Sequence, residues 1–346
     1  MNSNPSHKNI SRLEGCTVTG ALSVCAFVNN AATIVHGPDG CAHQASSLFQ
    51  STMLYNGCFD IPEIISSGMQ ENEIIFGGEE KLKNTIKDSL EYNPGAVFVI
   101  TSCICETIGD DVDKICSNDW GVPVIPVHTS GFLGGSFEKG YITALKETSC
   151  LIEKSGESKH PLVNIIGEKN LEYEVDENFA EIKRLLSLLG LGVNVRFARN
   201  ITPDDIKKTG RGCLNIIRDD TTGELSKHFA LVTNAPCIRS FPYGLSGTIE
   251  FLEEVADILN IDPSNAVSEE YENQNRLCED FSDLKGEKVY FDSFGFQKAE
   301  AGLLYEIAKK TGIILDPDGT VIPIPFYTPI GTTGVGRMLH QWRRFL

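Results

Sequence analysis

AVFVITSCICETIGDD, residues 96–111, is an apolar run that ends in two cysteines one residue apart, followed by Gly109 and two aspartates. Ala96–Ile100 has the length and composition of a strand buried on both faces. Thiols at the carboxyl end of such a strand are either packing or ligands. The choice depends on whether other cysteines reach the same place. HGPDGCAHQ, residues 36–44, follows a second candidate strand, Ala32–Val35, and its glycines permit a tight turn. Cys41 then falls near an expected helix N-terminus, where the dipole favours a thiolate. Cys16, in EGCTVTGAL, stands just upstream of the first helix of the same unit. In open parallel sheets ligands collect outside the carboxyl ends of the strands, so Cys16, Cys41 and Cys103 converge on one sheet edge.

Working outward, short apolar runs alternate with helix-length amphipathic segments. The expected strands are Ala32–Val35, Ala96–Ile100, Val122–Val127, Leu162–Ile166, Val193–Phe197, Cys213–Ile217 and Lys288–Phe291. Helical patterns fall at Glu79–Leu90, Phe179–Leu189, Gly247–Leu259 and Gln297–Lys310. This alternation predicts the α/β class, with parallel sheets covered by helices on both faces. Polar connectors at 152–160 and 267–287 divide the chain into two to three Rossmann-like domains with the third reduced. The expected units are a cluster-binding domain at 1–158, a second α/β domain at 159–275, and a third unit with a Pro/Gly-rich tail at 276–346. The tail segment TPIGTTGVGRML either closes over a flat ligand or turns and starts the last helix.

The totals exclude several classes. A net charge of −17, from 47 acidic and 30 basic residues, argues against nucleic-acid binding, which needs clustered Lys and Arg. No stretch approaches the roughly 18 consecutive apolar residues of a membrane helix, and the first fifteen residues hold no apolar signal region. A cytoplasmic protein is expected. Eleven cysteines in a reducing compartment are not expected to form disulfides. No GxxxxGK[ST] segment occurs, so any ATP hydrolysis belongs to another chain.

Thiolates select zinc or iron–sulfur centres. Structural zinc uses closely spaced cysteine pairs, whereas Cys16, Cys41 and Cys103 are scattered single residues, as in a cluster assembled between loops. On spacing alone, three buried thiols is the preferred reading. Five segments then resemble the nitrogenase component 1 superfamily, in its order: Gly15-Cys16, HGPDGC (36–41), IIFGGEEKL (74–82), TSCICETIGDD (101–111) and HTSGFLGGSFEKG (128–140). FPYGLSGTIEFL (241–252) adds a match in the second unit. The resemblance implies a 4Fe-4S cluster held at a subunit interface by Cys16, Cys41 and Cys103. It also implies a separate ATP-hydrolysing iron protein as electron donor. Cys105 is not required as cysteine by the family and reads as packing.

The pattern breaks in two places. The strand LNII (214–217) continues into Arg218-Asp219-Asp220, where family members with a large molybdenum–iron cofactor place a cysteine, and the tail IPFYTP (324–329) lacks their histidine. Together with the short third unit, this resembles the family's methanogen branch, a homodimer that reduces and cyclises Ni-sirohydrochlorin a,c-diamide in coenzyme F-430 biosynthesis. That branch implies a nickel tetrapyrrole substrate. The alternatives are a non-catalytic scaffold for metallocofactor assembly, or another reductase of the group, for example of small sulfur compounds. His36 and His128 are candidate proton donors, with loop hydrogen bonding as the other reading. His43 is a third histidine placed at the interface. Arg196, Arg199, Arg218 and Arg239 are candidate partners for tetrapyrrole carboxylates, or surface salt bridges. Cys58 is a candidate fourth cluster ligand, beside an aspartate or a group from a second subunit.

Overall fold

A computed structural model describes residues 15–154, 161–292 and 299–346. It contains three parallel sheets. The first has the order β2-β1-β3-β4, from β1 (Ala31–His36), β2 (Ile65–Ser66), β3 (Ala96–Thr101) and β4 (Val124–Val127). The second repeats this order as β6-β5-β7-β8, from β5 (Leu162–Ile166), β6 (Gly192–Phe197), β7 (Leu214–Ile217) and β8 (Cys237–Ile238). The third, β10-β9-β11, places β9 (Lys288–Asp292) between β10 (Ile314–Leu315) and β11 (Thr320–Pro323). In each sheet the first strand of the unit lies in the interior and the chain departs to both sides of it. That reversal opens a crevice at the strand carboxyl ends.

β3 shows why the fold forms. All six of its residues are buried, with Phe98 and Ile100 entering one core and Val97 and Val99 another. A strand hydrophobic on both faces needs helices on both, and the sheet supplies them. The helix Thr17–Cys25 is buried at every position. Its core is continuous with Phe197, Ile217 and Phe229 of the second unit.

This helix lies directly against the helix Phe137–Thr148 because glycines let their backbones touch. A Cβ on Gly140 would stand 1.9 Å from the Thr17 carbonyl oxygen, and one on Gly20 would stand 2.0 Å from that of Phe137. Gly140→Ala is therefore expected to cost at least the about 1–3 kcal/mol typical of overpacking. A lower denaturant midpoint with an unchanged slope would show it.

Most expected elements fall within a residue or two of those observed. The differences have physical reasons. β2, β8 and β10 are two-residue edge strands, too short to carry a period of two, and β11 sits in the Pro/Gly-rich tail. The strand expected from Val122 begins at Val124, after a turn at Gly121 with φ +74°. The stretch 267–287, expected as a connector, is largely the helix Ser264–Asp280. Its buried Glu270 and Gln274 read as surface residues, but each has an internal partner. Glu270 meets Arg184 at 2.8 Å, and Gln274 donates to the Leu245 carbonyl at 2.9 Å. The division expected near 275 thus falls inside a helix, and that expected at 158–159 lies outside the described residues, as do residues 297 and 298 of the helix expected at Gln297–Lys310, observed as Ala301–Thr311. Gly331–Trp342 forms a further helix, so the tail segment turns and starts the last helix, while Thr328 at its beginning lines a cavity.

Candidate functional site

β1 and β3 are parallel hydrogen-bonded neighbours with His36 opposite Thr101, and the strand order reverses between them. Cys41 lies in the first turn of the helix Asp39–Tyr55, which follows β1 through Gly37-Pro38. Cys103 opens the helix Cys103–Ile108, whose N-cap Ser102 accepts from the Cys105 N–H. Cys16 caps the helix Thr17–Cys25 and bridges to Ser136. Thr17 Oγ1 lies 2.5 Å from the Thr129 carbonyl oxygen and 2.7 Å from that of Gly131. Gly131 in turn packs on Cys103, since a Cβ there would come within 3.3 Å of the Cys103 sulfur. The three residues expected to meet are brought to one edge.

Their charges are coupled. Burial pushes the Cys41 thiol up, and the neighbouring Cys103 and Cys16 push it further. All three are free thiols, neither fully buried nor fully exposed. Three soft donors close enough to repel one another when ionised, at three helix N-termini, fit an iron–sulfur cluster. Cys105 is on the other face of the sheet, in the core with Ile34, Val97 and Val99, whereas Cys16 and Cys41 pack against the core with Phe98 and Ile100. Burial pushes its thiol up to about 12. Cys58 follows the far end of the helix that begins beside Cys41. Fourteen residues at 1.5 Å each separate Cys41 from Tyr55, roughly 21 Å. Cys58 therefore does not join the other three thiols within one chain.

The histidines divide. His36 is fully buried, with Nε2 3.1 Å from Asp110 Oδ2 and Nδ1 3.0 Å from Ser67 Oγ. Burial lowers its pKa despite Asp110. It is enclosed and bonded at both nitrogens, which favours the loop-holding reading over proton donation. His128 sits half-exposed between Glu106 at 2.9 Å and Asp113 at 3.0 Å. Partial burial pulls its pKa down, but the two carboxylates outweigh this and raise it. A raised folded-state pKa stabilises the protein fully below the unfolded value and loses that contribution as pH rises through the folded one. His128→Gln should therefore lower the denaturation midpoint below pH 6.5 and have a shrinking effect above it. Equal effects at pH 5.5 and 8.5 would contradict this. His43 lies exposed on the helix Asp39–Tyr55.

Three of the four arginines are committed elsewhere. Arg196 lies within β6, not after it, and its buried guanidinium meets Glu168 at 2.5 Å and Asp176 at 2.6 Å. Arg199 meets Asp176 at 2.7 Å, and these two arginines hold that carboxyl at about 2 despite its partial burial. Arg218 pairs with Glu172 at 2.6 Å, both side chains almost wholly enclosed. Arg196 and Arg218 are thus held by internal carboxylates, Glu168 and Glu172, whereas Arg199 is itself buried but pairs with Asp176, which is 54% exposed. Arg239 is exposed and faces a cavity.

That cavity, of about 660 Å³, opens at the carboxyl end of β7 and reaches the segment after β11. Its lining includes Arg218, Asp219, Arg239, Phe241, Tyr243 and Tyr327. The two segments where the sequence departs from the cofactor-binding pattern, Arg218-Asp219 and Tyr327-Thr328, thus share one wall. Asp219 is not idle, for Tyr243 donates to it at 2.6 Å and Lys169 lies 3.4 Å away. Sequence reading missed Glu172 and Tyr243, whose roles depend on contacts across 46 and 25 residues. It also missed the reach of Asp110. Gly109 turns the chain at φ +79° and Asp111 caps the next helix, but Asp110 folds back to accept from the Gly78 N–H at 2.9 Å.

The family model for nitrogenase component 1 type oxidoreductases matches residues 16–290. The nitrogenase iron-molybdenum cofactor biosynthesis protein NifE of Clostridium pasteurianum is 31% identical over 254 residues, which cover 70% of this chain and 53% of that protein. The nitrogenase molybdenum-iron protein alpha chain of Methanothermococcus thermolithotrophicus is 30% identical over 271 residues, 71% of this chain and 54% of that one. The chain spans about half the length of these curated relatives. The solved structure of nitrogenase Cp1 at pH 5 superposes with a TM-score of 0.69 at 22% identity, over 90% of this chain and 66% of that one. The sheet order, the three converging thiols and these matches agree, and the chain belongs to the nitrogenase component 1 type oxidoreductases.

Proposed function

We propose that this protein is the iron–sulfur component of a two-component reductase. Cys16, Cys41 and Cys103 would hold a 4Fe-4S cluster, which supplies one-electron transfer when bound. The observation that carries this reading is the pairing of two crevices. The first sheet's reversal point gathers three thiols, and the second sheet's opens the cavity beside Arg218 and Asp219. A separate ATP-hydrolysing iron protein would deliver the electrons. Ile75 and Phe76, 70% and 84% exposed at the end of the helix Glu71–Phe76, offer it an apolar patch. Tyr55, at the end of the helix carrying Cys41, and Phe59 beyond it are exposed and suit contact with a second copy, as in a cytoplasmic homodimer. The functional division would follow 1–158 for the cluster, 159–275 and 276–346 for the cavity.

The proposed substrate is Ni-sirohydrochlorin a,c-diamide, reduced and cyclised toward coenzyme F-430. Arg239 is placed to meet one of its carboxylates. The protein's own contribution is then to bind and orient the macrocycle in a cavity where the Arg218–Glu172 pair and Tyr243 hold the wall. A second reading, a scaffold for metallocofactor assembly, is favoured by the similarity to the relative named NifE. Incubation of the anaerobically purified protein with the iron protein, ATP, reductant and the macrocycle distinguishes them. Consumption of the macrocycle supports the first reading. Retention and release of a metallocluster without consumption supports the second, and turnover of small sulfur compounds alone would replace both.

A further inference from the structure

One more group of ligand-type side chains converges in this unit, away from the three thiols. A ring nitrogen of His36, the Cys105 sulfur and a carboxylate oxygen of Asp110 all lie within 4.8 Å of one another. His36 and Cys105 are buried, and the Asp110 side chain is 3% exposed. Among the described residues no lysine or arginine pairs with Asp110. Its partners are His36 at 3.1 Å and the Gly78 N–H, at 2.9 and 3.1 Å from its two oxygens. A buried carboxylate without a cationic partner is costly, and proteins compensate such charges by pairing or by a metal ion.

The spacing suits an ion. Ligands about 2.0 Å from a tetrahedral zinc stand roughly 3.3 Å apart, close to the 3.1 Å between His36 Nε2 and Asp110 Oδ2. An outer shell is also in place, since metal-bound histidines commonly bond a polar group through the other nitrogen. Ser67 Oγ does this at 3.0 Å from Nδ1, and the same oxygen accepts from the Gly37 N–H. Gly78 closes the group with bare backbone. A Cβ there would lie 2.8 Å from Asp110 Oδ2 and 3.0 Å from His36 Cε1. The site faces the core of Val97 and Val99, across the sheet from the core that packs Cys16 and Cys41.

We propose that His36, Cys105 and Asp110 form a mononuclear zinc site, separate from the three-thiol edge. The one-sulfur, one-imidazole, one-carboxylate donor set suits this borderline-soft ion, and a tetrahedral ion would have one position left for water. Bound there, the ion would tie the loop after β1, the Gly77-Gly78 loop and the turn after the Cys103 helix into one unit.

The test uses the anaerobically purified full chain, equilibrated with zinc, desalted, and analysed for zinc and iron and by zinc-edge X-ray absorption. The expected result is about one zinc per chain with a single sulfur among its nearest neighbours, the rest nitrogen or oxygen. Cys105→Ala should lower retained zinc by roughly tenfold or more and leave iron unchanged. Wild-type protein that retains no zinc would overturn the proposal, as would zinc kept by Cys105→Ala. So would a spectrum with two or three sulfurs, which would put the ion on Cys16, Cys41 and Cys103. The wild-type spectrum decides the matter even where the variant folds poorly.

Discussion

Serine at Cys41 is expected to strip the iron from anaerobically purified protein, taking the brown colour with it. The same is expected for Cys16 and Cys103. A hydroxyl is a hard, weakly acidic donor and does not replace a thiolate at iron under neutral conditions. With only three cysteines of this chain within reach of the centre, each loss leaves at most two sulfurs. Iron should fall from about four atoms per cluster to background. Cys150 and Cys278 serve as controls, since neither lies at this edge, and serine at either should leave iron and colour unchanged. The protein should stay folded in all five variants, because Cys16, Cys41 and Cys103 are only partly buried and each begins or caps a helix held by other contacts. Full iron content in all three ligand variants would remove the assignment. Far-ultraviolet circular dichroism beside the iron analysis separates loss of the cluster from loss of the fold.

The second large effect is on stability. Arg218→Ala should destabilise the protein by about 3–5 kcal/mol, the cost of leaving a buried charge unpaired. Arg218 and Glu172 are 4% and 3% exposed and 2.6 Å apart. Burial raises the Glu172 pKa, and the Arg218 charge opposes that rise. Without the arginine, Glu172 would take up a proton or draw in water. Arg218 also donates to Tyr243 at 3.3 Å and stacks over Phe241, so the cavity wall would loosen as well. Replacing both partners by neutral residues of similar volume, as in Arg218→Met with Glu172→Gln, should recover much of the loss. Denaturant unfolding of the two variants measures it. A single-variant loss under 1 kcal/mol would mean that Glu172 finds another partner.

The two predictions draw on different kinds of legibility. Cys16, Cys41 and Cys103 were readable because strand–helix alternation and glycine-rich turns are local patterns, and a parallel sheet delivers whatever follows its strands to one edge. Glu79–Leu90 and Leu162–Ile166 were readable to the residue for the same reason. Arg196, Arg199 and Arg218 were misread as ligand-facing or surface groups. An arginine at a strand end looks exposed until Glu168, Glu172 and Asp176 arrive from the β5–β6 crossover. Glu270 and Gln274 hid a helix inside a presumed connector in the same way. Polar residues are buried only with partners, and partners distant in sequence leave no local mark.

Two properties were written in the order of residues alone: parallel α/β architecture, and the meeting of three single cysteines. Both follow from periodicity and chain direction, which act over a few residues at a time. The tertiary structure decided what required distances between remote segments. It placed Cys105 on the opposite face of β3 from the core behind Cys41, and carried Cys58 a helix length from Cys41. It closed Arg218 onto Glu172 and joined Asp219 to Tyr327 around one cavity. A side chain's charge or donor atom is a local fact, but what it binds depends on which surfaces packing brings within a few ångströms.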